Sequence, residues 1–147
     1  MRNFPSGVSV VTAAGEGQRI GVTIGSLVSL SLEPPLLGIT IGRDLAAHEL
    51  LREAGAFAVS ILRGDQAQLA AHFARGVPPI ALWQGIAVRE GTTGAPLLAD
   101  ALAWLECRIA DEHRVGDHTL FVGEVVTAEE GEPGKALVYR EHSYHVV

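Results

Sequence analysis

Gly116-Asp117-His118 stands between two apolar runs, Ala101–Ile109 and Thr119–Val126, and combines a turn signal with a functional side chain. Glycine tolerates positive φ and aspartate bonds its own backbone, so the pair reads as a turn between two strands. A histidine at the foot of the second strand is held by rigid scaffold, where it can hydrogen-bond an amide or meet a phosphate. Asp117 can fix the turn or orient the imidazole. On the tripeptide alone, the competing reading is a hairpin that carries an exposed histidine.

Three other segments carry candidate chemistry. Thr23, Ser26, Ser29 and Ser31 lie close together. They are either half-exposed strand positions or a hydrogen-bonding edge for a polar ring, with Gly21 and Gly25 letting backbone approach that ring. Arg43-Asp44 precedes a helical pattern. A helix N-terminus offers free N–H groups and the positive end of its dipole, which suits a phosphate, and Arg43 adds a charge-assisted donor. The alternative there is a surface arginine beside an ordinary N-cap. His72-Phe73-Ala74-Arg75 ends a second helical pattern, with Phe73 as a core residue and Arg75 as a C-terminal cation in the simplest reading.

Other chemistries fit poorly. There are 6 histidines, but no His-Glu-x-x-His and no cysteine cluster, so no metal site is expected. His142 and His145 are an odd interval apart on an expected strand and face opposite sides. No Gly-x-Ser-x-Gly elbow is present. No Gly-x-Gly-x-x-Gly opens a helix, so a nicotinamide would not be held on a Rossmann fold. The lone Cys107 sits inside an apolar run as a buried thiol.

Composition sets the class. The chain has 147 residues, 48% of them hydrophobic, and a net charge of −6, with a mean hydropathy of +0.25. That length implies one domain spanning 1–147. The acidic balance argues against nucleic acid. No apolar stretch reaches the roughly 18–20 residues of a membrane span. The surplus apolar surface points to a subunit interface. The first residues lack an apolar signal-peptide core, which makes the cytoplasm the expected location.

The elements that must position these residues are mostly strands. The pattern predicts strands over Gly7–Ala13, Arg19–Leu32, Leu36–Ile41 and Phe57–Leu62, two long ones around Gly116-Asp117-His118, and short ones at Ala136–Tyr139 and His142–Val147. Helices are predicted at Asp44–Arg52 and Asp65–Ala74, each with its aspartate as N-cap. Val77–Glu90 reads as irregular and Glu129–Gly134 as a polar loop. Helices confined to the middle third favour a closed β-barrel over a parallel α/β sheet.

Several segments, in order, carry a resemblance. They are Phe4-Pro5-Ser6-Gly7-Val8, Gly21-Val22-Thr23-Ile24-Gly25-Ser26, Ser29-Leu30-Ser31-Leu32-Glu33-Pro34-Pro35-Leu36, Gly55–Leu62, His72-Phe73-Ala74, Gly94–Leu98, Ala103–Cys107 and Gly116–Val125. Together they resemble the flavin reductase-like, FMN-binding split-barrel family. The resemblance implies a mainly β, Greek-key split barrel with two short helices in the middle third. It implies a homodimer that moves hydride from NADH or NADPH to FMN, or to FAD. The reduced flavin would pass to a flavin-dependent monooxygenase or stay bound.

The resemblance also assigns residues. Thr23, Ile24, Gly25 and Ser26 would line the isoalloxazine and ribityl chain together with Ser31, although Gly25 stands where the family usually has asparagine. Arg43, Asp44 and His48 would surround the phosphate; Leu45 and Ala47 replace the family's hydroxyls there, which shifts the burden to Arg43 and backbone N–H groups. His72, Phe73, Ala74 and Arg75 would border the flavin, and Tyr144 completes the set. Gly116, Asp117 and His118 would lie beside the nicotinamide, with His118 positioning it rather than donating an indispensable proton. A helical segment normally precedes Phe4-Pro5, and here only Met1-Arg2-Asn3 does, so either that segment is missing or the native start lies upstream. The other functions left open are a non-catalytic ligand-binding barrel and a purely structural one.

Overall fold

A computed structural model describes residues 1–147. β1 (Ser6–Gly7), β2 (Ser9–Gly15), β3 (Gln18–Ile24), β4 (Val28–Leu32) and β5 (Pro35–Gly42) precede α1 (Ala46–Ala54). Next come β6 (Ala56–Ile61), α2 (Ala67–Phe73), α3 (Pro79–Leu82), β7 (Val88–Glu90) and β8 (Pro96–Leu98). The chain ends with β9 (Ala103–Val115), β10 (His118–Glu130), β11 (Leu137–Arg140) and β12 (Ser143–Val146). No helix is long and apolar enough to cross a membrane.

Seven strands form one antiparallel sheet in the order β3-β2-β6-β9-β10-β5-β4, and β1, β11 and β12 form a second. The turns follow from residue type. Glu16 and Gly17 both have positive φ and close the β2–β3 hairpin as a type I′ turn. Gly116, at φ 61, closes the β9–β10 hairpin with Asp117, and Val115 pairs with His118 across it. Positive φ at the first loop position alone is the type II′ pattern.

Alternation along the strands builds two cores. Val11, Ala13, Ile39, Phe57, Val59 and Phe121 point into the barrel, where α1 covers them with Leu51. Val8 and Val10 point the other way, onto Ala70, Phe73, Leu82 and Leu137. Gly123 is needed because Phe57 lies across it: a Cβ there would sit 2.6 Å from the Phe57 ring. Cys107 is fully buried, and burial pushes its thiol up to about 12, so it is inert.

The structure corrects several expected boundaries. Arg19–Leu32 is two strands, because the chain turns through Gly25, Ser26 and Leu27. Neither aspartate is an N-cap. Leu45 caps α1 in extended conformation and Gln66 caps α2, both without a side-chain cap bond. Asp44 lies in the preceding turn, and Asp65 is drawn off by Arg63 in a 2.8 Å ion pair. Val77–Glu90 contains α3 and β7, and β8 adds an unexpected strand. His142 belongs to the β11–β12 turn at φ 62, so the last strand is shorter than expected.

Candidate active site

β3 is one edge of the sheet, and β4 covers β5 only over Pro35–Gly38, so Thr40–Gly42 of β5 lies across a split from the end of β3. Three grooves meet at that split, and Gly25 lines all three. One of about 320 Å³ runs between Val22–Ser26 and Thr40–Gly42, with Leu45 and His118 on its walls. A second, of about 230 Å³, is bounded by Ser6, Thr23, Ala74, Tyr139 and Tyr144. The third, of about 450 Å³, opens toward Arg2, Phe4, Arg140 and His142. Past Leu45 and Val22 the first groove continues into a fourth, of about 290 Å³, bounded by Asp44–Ala47 at the start of α1.

Gly25 is glycine for reasons of space. A Cβ there would lie 2.5 Å from Ser6 Oγ and 3.2 Å from Ser6 Cβ. Gly21 has a different reason from the one expected: its missing side chain makes room for Phe73, whose ring would be 2.5 Å from a Cβ, and for Trp83. The hydroxyls beside Gly25 are largely committed. Thr23 donates to the Ala70 carbonyl at 2.6 Å, tying β3 to α2. Ser26 accepts from the Thr40 N–H at 3.1 Å and donates to the Thr40 carbonyl, which clips the β3–β4 turn onto β5. A hydroxyl has two acceptor positions, so Ser26 retains one. Ser31, on β4, pairs with Leu36 of β5 and lines none of the three grooves at Gly25.

His118 opens β10 opposite Gly42 of β5. Its Nδ1 is 2.7 Å from Asp117 Oδ1. That hydrogen bond and the imidazole's charge hold the Asp117 carboxyl below its ordinary value. With Nδ1–H donated to Asp117, Nε2 is the nitrogen left for a ligand. The side chain is half exposed, and it lies on the first groove.

Thr119 follows on β10 and therefore faces the other side of the sheet, toward α1. Its hydroxyl meets two groups, His48 Nε2 at 2.7 Å and Arg43 Nη1 at 3.2 Å. Arg43 thus turns toward the α1 side rather than into the groove that His118 lines, while its N–H bonds the Asp117 carbonyl at 2.9 Å. His48 is buried against Phe121, and both its ring nitrogens are taken, one by Thr119 and one by Glu49 at 3.0 Å. It therefore does not present a free nitrogen to a phosphate. The α1 terminus itself is open: Ala46 and Ala47 N–H make no hydrogen bond within the chain.

The residues at the end of α2 divide. Phe73 is core, its ring 5.2 Å from Trp83. His72 Nε2 donates to the Leu82 carbonyl at 2.6 Å and so fastens α2 to α3. Ala74 reaches the second groove, facing Tyr144, whereas Arg75 is an exposed cation. Burial raises the Tyr144 phenol, with help from Tyr139 across a 5.1 Å ring contact. Sequence reasoning missed Ser6, Thr40, Thr119 and Tyr139. Only strand pairing brings them in, β5 to β10 and β1 to β11.

The Flavin reductase like domain model matches residues 1–147. The chain belongs to the flavin reductase like domain family. An NADH-dependent FAD reductase of Streptomyces globisporus is 44% identical over 129 residues, covering 86% of this chain and 70% of that protein. The 4-hydroxyphenylacetate 3-monooxygenase reductase component of Thermus thermophilus is 41% identical over 145 residues, covering 98% and 90%. Among solved structures, the NADH:FAD oxidoreductase SgcE6 of Streptomyces globisporus C-1027, in complex with NAD and FAD fragments, superimposes with a TM-score of 0.91 at 38% identity, covering 97% of this chain and 86% of that one. The flavin reductase domain is here a mainly β split barrel, with α1 and α2 inserted in its middle third.

Proposed function

We propose that this chain catalyses hydride transfer from NADH or NADPH to FMN or FAD in the cleft around Gly25, and that the reduced flavin serves a partner monooxygenase. The observation that carries the reading is the convergence of three grooves on Gly25, with His118 on one wall and the open N-terminus of α1 further along. Two cofactors must meet face to face, and a branched cleft gives each its own arm. Family membership and the named reductase relatives support the same chemistry.

The chain's residues fit a flavin. Gly25 keeps the floor of the cleft flat, and the chain around it, from Thr23 to Ser26, supplies backbone polar groups. Ala46 and Ala47 N–H, at the positive end of the α1 dipole, suit a phosphate, with Arg43 just ahead of the helix in the chain. His118 Nε2 meets the nicotinamide nucleotide, and Asp117 holds the imidazole in place. When bound, the two cofactors supply the hydride chemistry; the protein orients them and excludes water.

The assembly we propose is a homodimer. β4 is a free sheet edge and exposes Val28 (44%), Leu30 (46%) and Leu32 (87%), a stretch that a second copy would cover. The test of the activity is NADH or NADPH oxidation by the purified chain with and without added FMN or FAD. Oxidation that requires flavin supports the proposal. Flavin bands in the visible spectrum without oxidation of either nicotinamide would instead make this a non-catalytic flavin-binding barrel.

A further inference from the structure

We propose that His48 is a positioning residue that sets the phosphate-binding corner of the cleft by holding Thr119 in the orientation that anchors Arg43. The proposal rests on the reading above, that a flavin phosphate is bound at the start of α1 beside Arg43.

Residue type fixes the two outer bonds of the chain, at Glu49 and at Arg43, and a neutral imidazole sets the one between them. Glu49 carries a carboxylate, which only accepts, so His48 Nδ1 must donate to it across 3.0 Å. His48 Nε2, in the neutral ring, is then the acceptor, and Thr119 donates its hydroxyl proton to it across 2.7 Å. Thr119 Oγ1 keeps its lone pairs for Arg43, whose Nη1–H donates across 3.2 Å. Each step depends on the one before. The near end is anchored in turn: Arg52 bonds both Glu49, at 3.2 Å, and Glu112 on β9, at 2.9 Å. A continuous series thus runs from β9 across α1 to β10 and ends on the guanidinium at the helix start.

Burial makes this more than a surface network. His48 is 2% exposed and Thr119 3%, so neither can exchange its partner for water without cost. Holding one buried hydroxyl between a histidine and an arginine is not needed to pack α1, which Leu51 and the aromatic contact of His48 with Phe121 already anchor. What the series does determine is that the Arg43 guanidinium rests on Thr119, just ahead in the chain of α1 and its free Ala46 and Ala47 N–H groups. An arginine fixed in this way loses less side-chain freedom when it meets a phosphate.

The test compares FMN with riboflavin, which lacks only the phosphate, by fluorescence titration of the whole chain. The readout is the ratio of the two affinities, which a loss confined to the isoalloxazine part of the cleft leaves unchanged. Arg43→Ala should cut that ratio about tenfold or more, as expected for loss of a hydrogen bond to a charged group. His48→Leu and Thr119→Val should each cut it about threefold to tenfold, and His48→Gln should recover part of the loss. The Arg43→Ala/Thr119→Val double variant should be no worse than Arg43→Ala alone, because Thr119 acts through Arg43. If Arg43→Ala lowers the ratio while the folded His48→Leu and Thr119→Val variants leave it unchanged, the positioning role is wrong and the phosphate site stands. If Arg43→Ala itself leaves the ratio unchanged, the phosphate lies elsewhere and both readings fall. Thr119→Val is nearly isosteric and keeps the experiment decisive if His48→Leu does not fold.

Discussion

Replacing Gly25 by alanine adds one methyl group where the three grooves meet. The new Cβ would lie 2.5 Å from Ser6 Oγ and 3.2 Å from Ser6 Cβ, with the next atom, the Gly7 carbonyl oxygen, at 3.7 Å. Ordinary contact begins near 3.4 Å, so the clash is with one side chain and not with backbone. Ser6 makes no hydrogen bond that would hold its hydroxyl in place, and rotation relieves the shorter contact. Overpacking typically costs 1–3 kcal/mol, and this site belongs at the low end, about 1 kcal/mol. For a domain of this size that is a fall of roughly 3–4 °C in Tm. The larger effect should be on function, because the methyl group and the displaced hydroxyl both intrude on the cleft. We expect kcat/KM for flavin to fall about tenfold, equivalent to about 1.4 kcal/mol. The assay is steady-state NADH oxidation at varied flavin, beside a thermal melt. Adding Ser6→Gly to Gly25→Ala removes the clash and should restore the melting temperature. A Gly25→Ala variant that loses stability as described yet keeps kcat/KM for both substrates within about twofold would show that the reaction does not occur in this cleft.

His118→Ala should raise KM for the nicotinamide nucleotide with little change in flavin affinity and a smaller fall in kcat; loss of flavin binding with an unchanged nicotinamide KM would remove the assignment. Arg43→Ala should weaken FMN binding by about 1.5–3 kcal/mol in a direct titration. Leu30→Glu, on the exposed edge β4, should convert a dimer to a monomer of half the mass by light scattering, and a wild-type monomer at micromolar concentration would refute the dimer. Glu106 gives a pH prediction. Burial alone would raise its carboxyl, but bonds from the Thr93 N–H at 2.9 Å and hydroxyl at 2.8 Å, with the Thr92 N–H, outweigh that and lower it. A folded pKa below the unfolded one adds stability above the unfolded pKa, and this is lost as pH falls through the folded pKa. Urea unfolding of Glu106→Gln should therefore show a flatter loss of stability than wild type from roughly pH 5 to pH 3.

Local signals in the sequence located the hairpins and most strands. Gly116-Asp117 reads as a turn because glycine relieves a positive φ, and that is the backbone conformation observed. The helical patterns in the sequence fall within a few residues of α1 and α2, but the caps are Leu45 and Gln66 instead of the aspartates. Asp44 precedes an apolar periodic segment as a cap would, yet the Arg43 N–H is bonded to the Asp117 carbonyl, 74 residues away, and this long-range bond sets where the turn ends. Gly21 and Gly25 illustrate the same limit. Both were legible as places of close approach, but what approaches them is Phe73 in one case and Ser6 in the other. Those partners come from α2 and β1, and no local pattern names them. The relation of His48 to Thr119 and Arg43 was equally hidden, because it depends on β5 pairing with β10 in one register.

Flavin and nicotinamide should meet around Gly25, with His118 on the nicotinamide side. A crystal structure of the chain soaked with FMN and NAD⁺ tests it directly. The isoalloxazine should lie against Thr23–Ser26, the phosphate at the Ala46 and Ala47 N–H groups, and the nicotinamide nucleotide within hydrogen-bond reach of His118 Nε2. Flavin bound instead in the open groove of Arg63, Asp65 and Lys135, or nicotinamide placed away from His118, would contradict it.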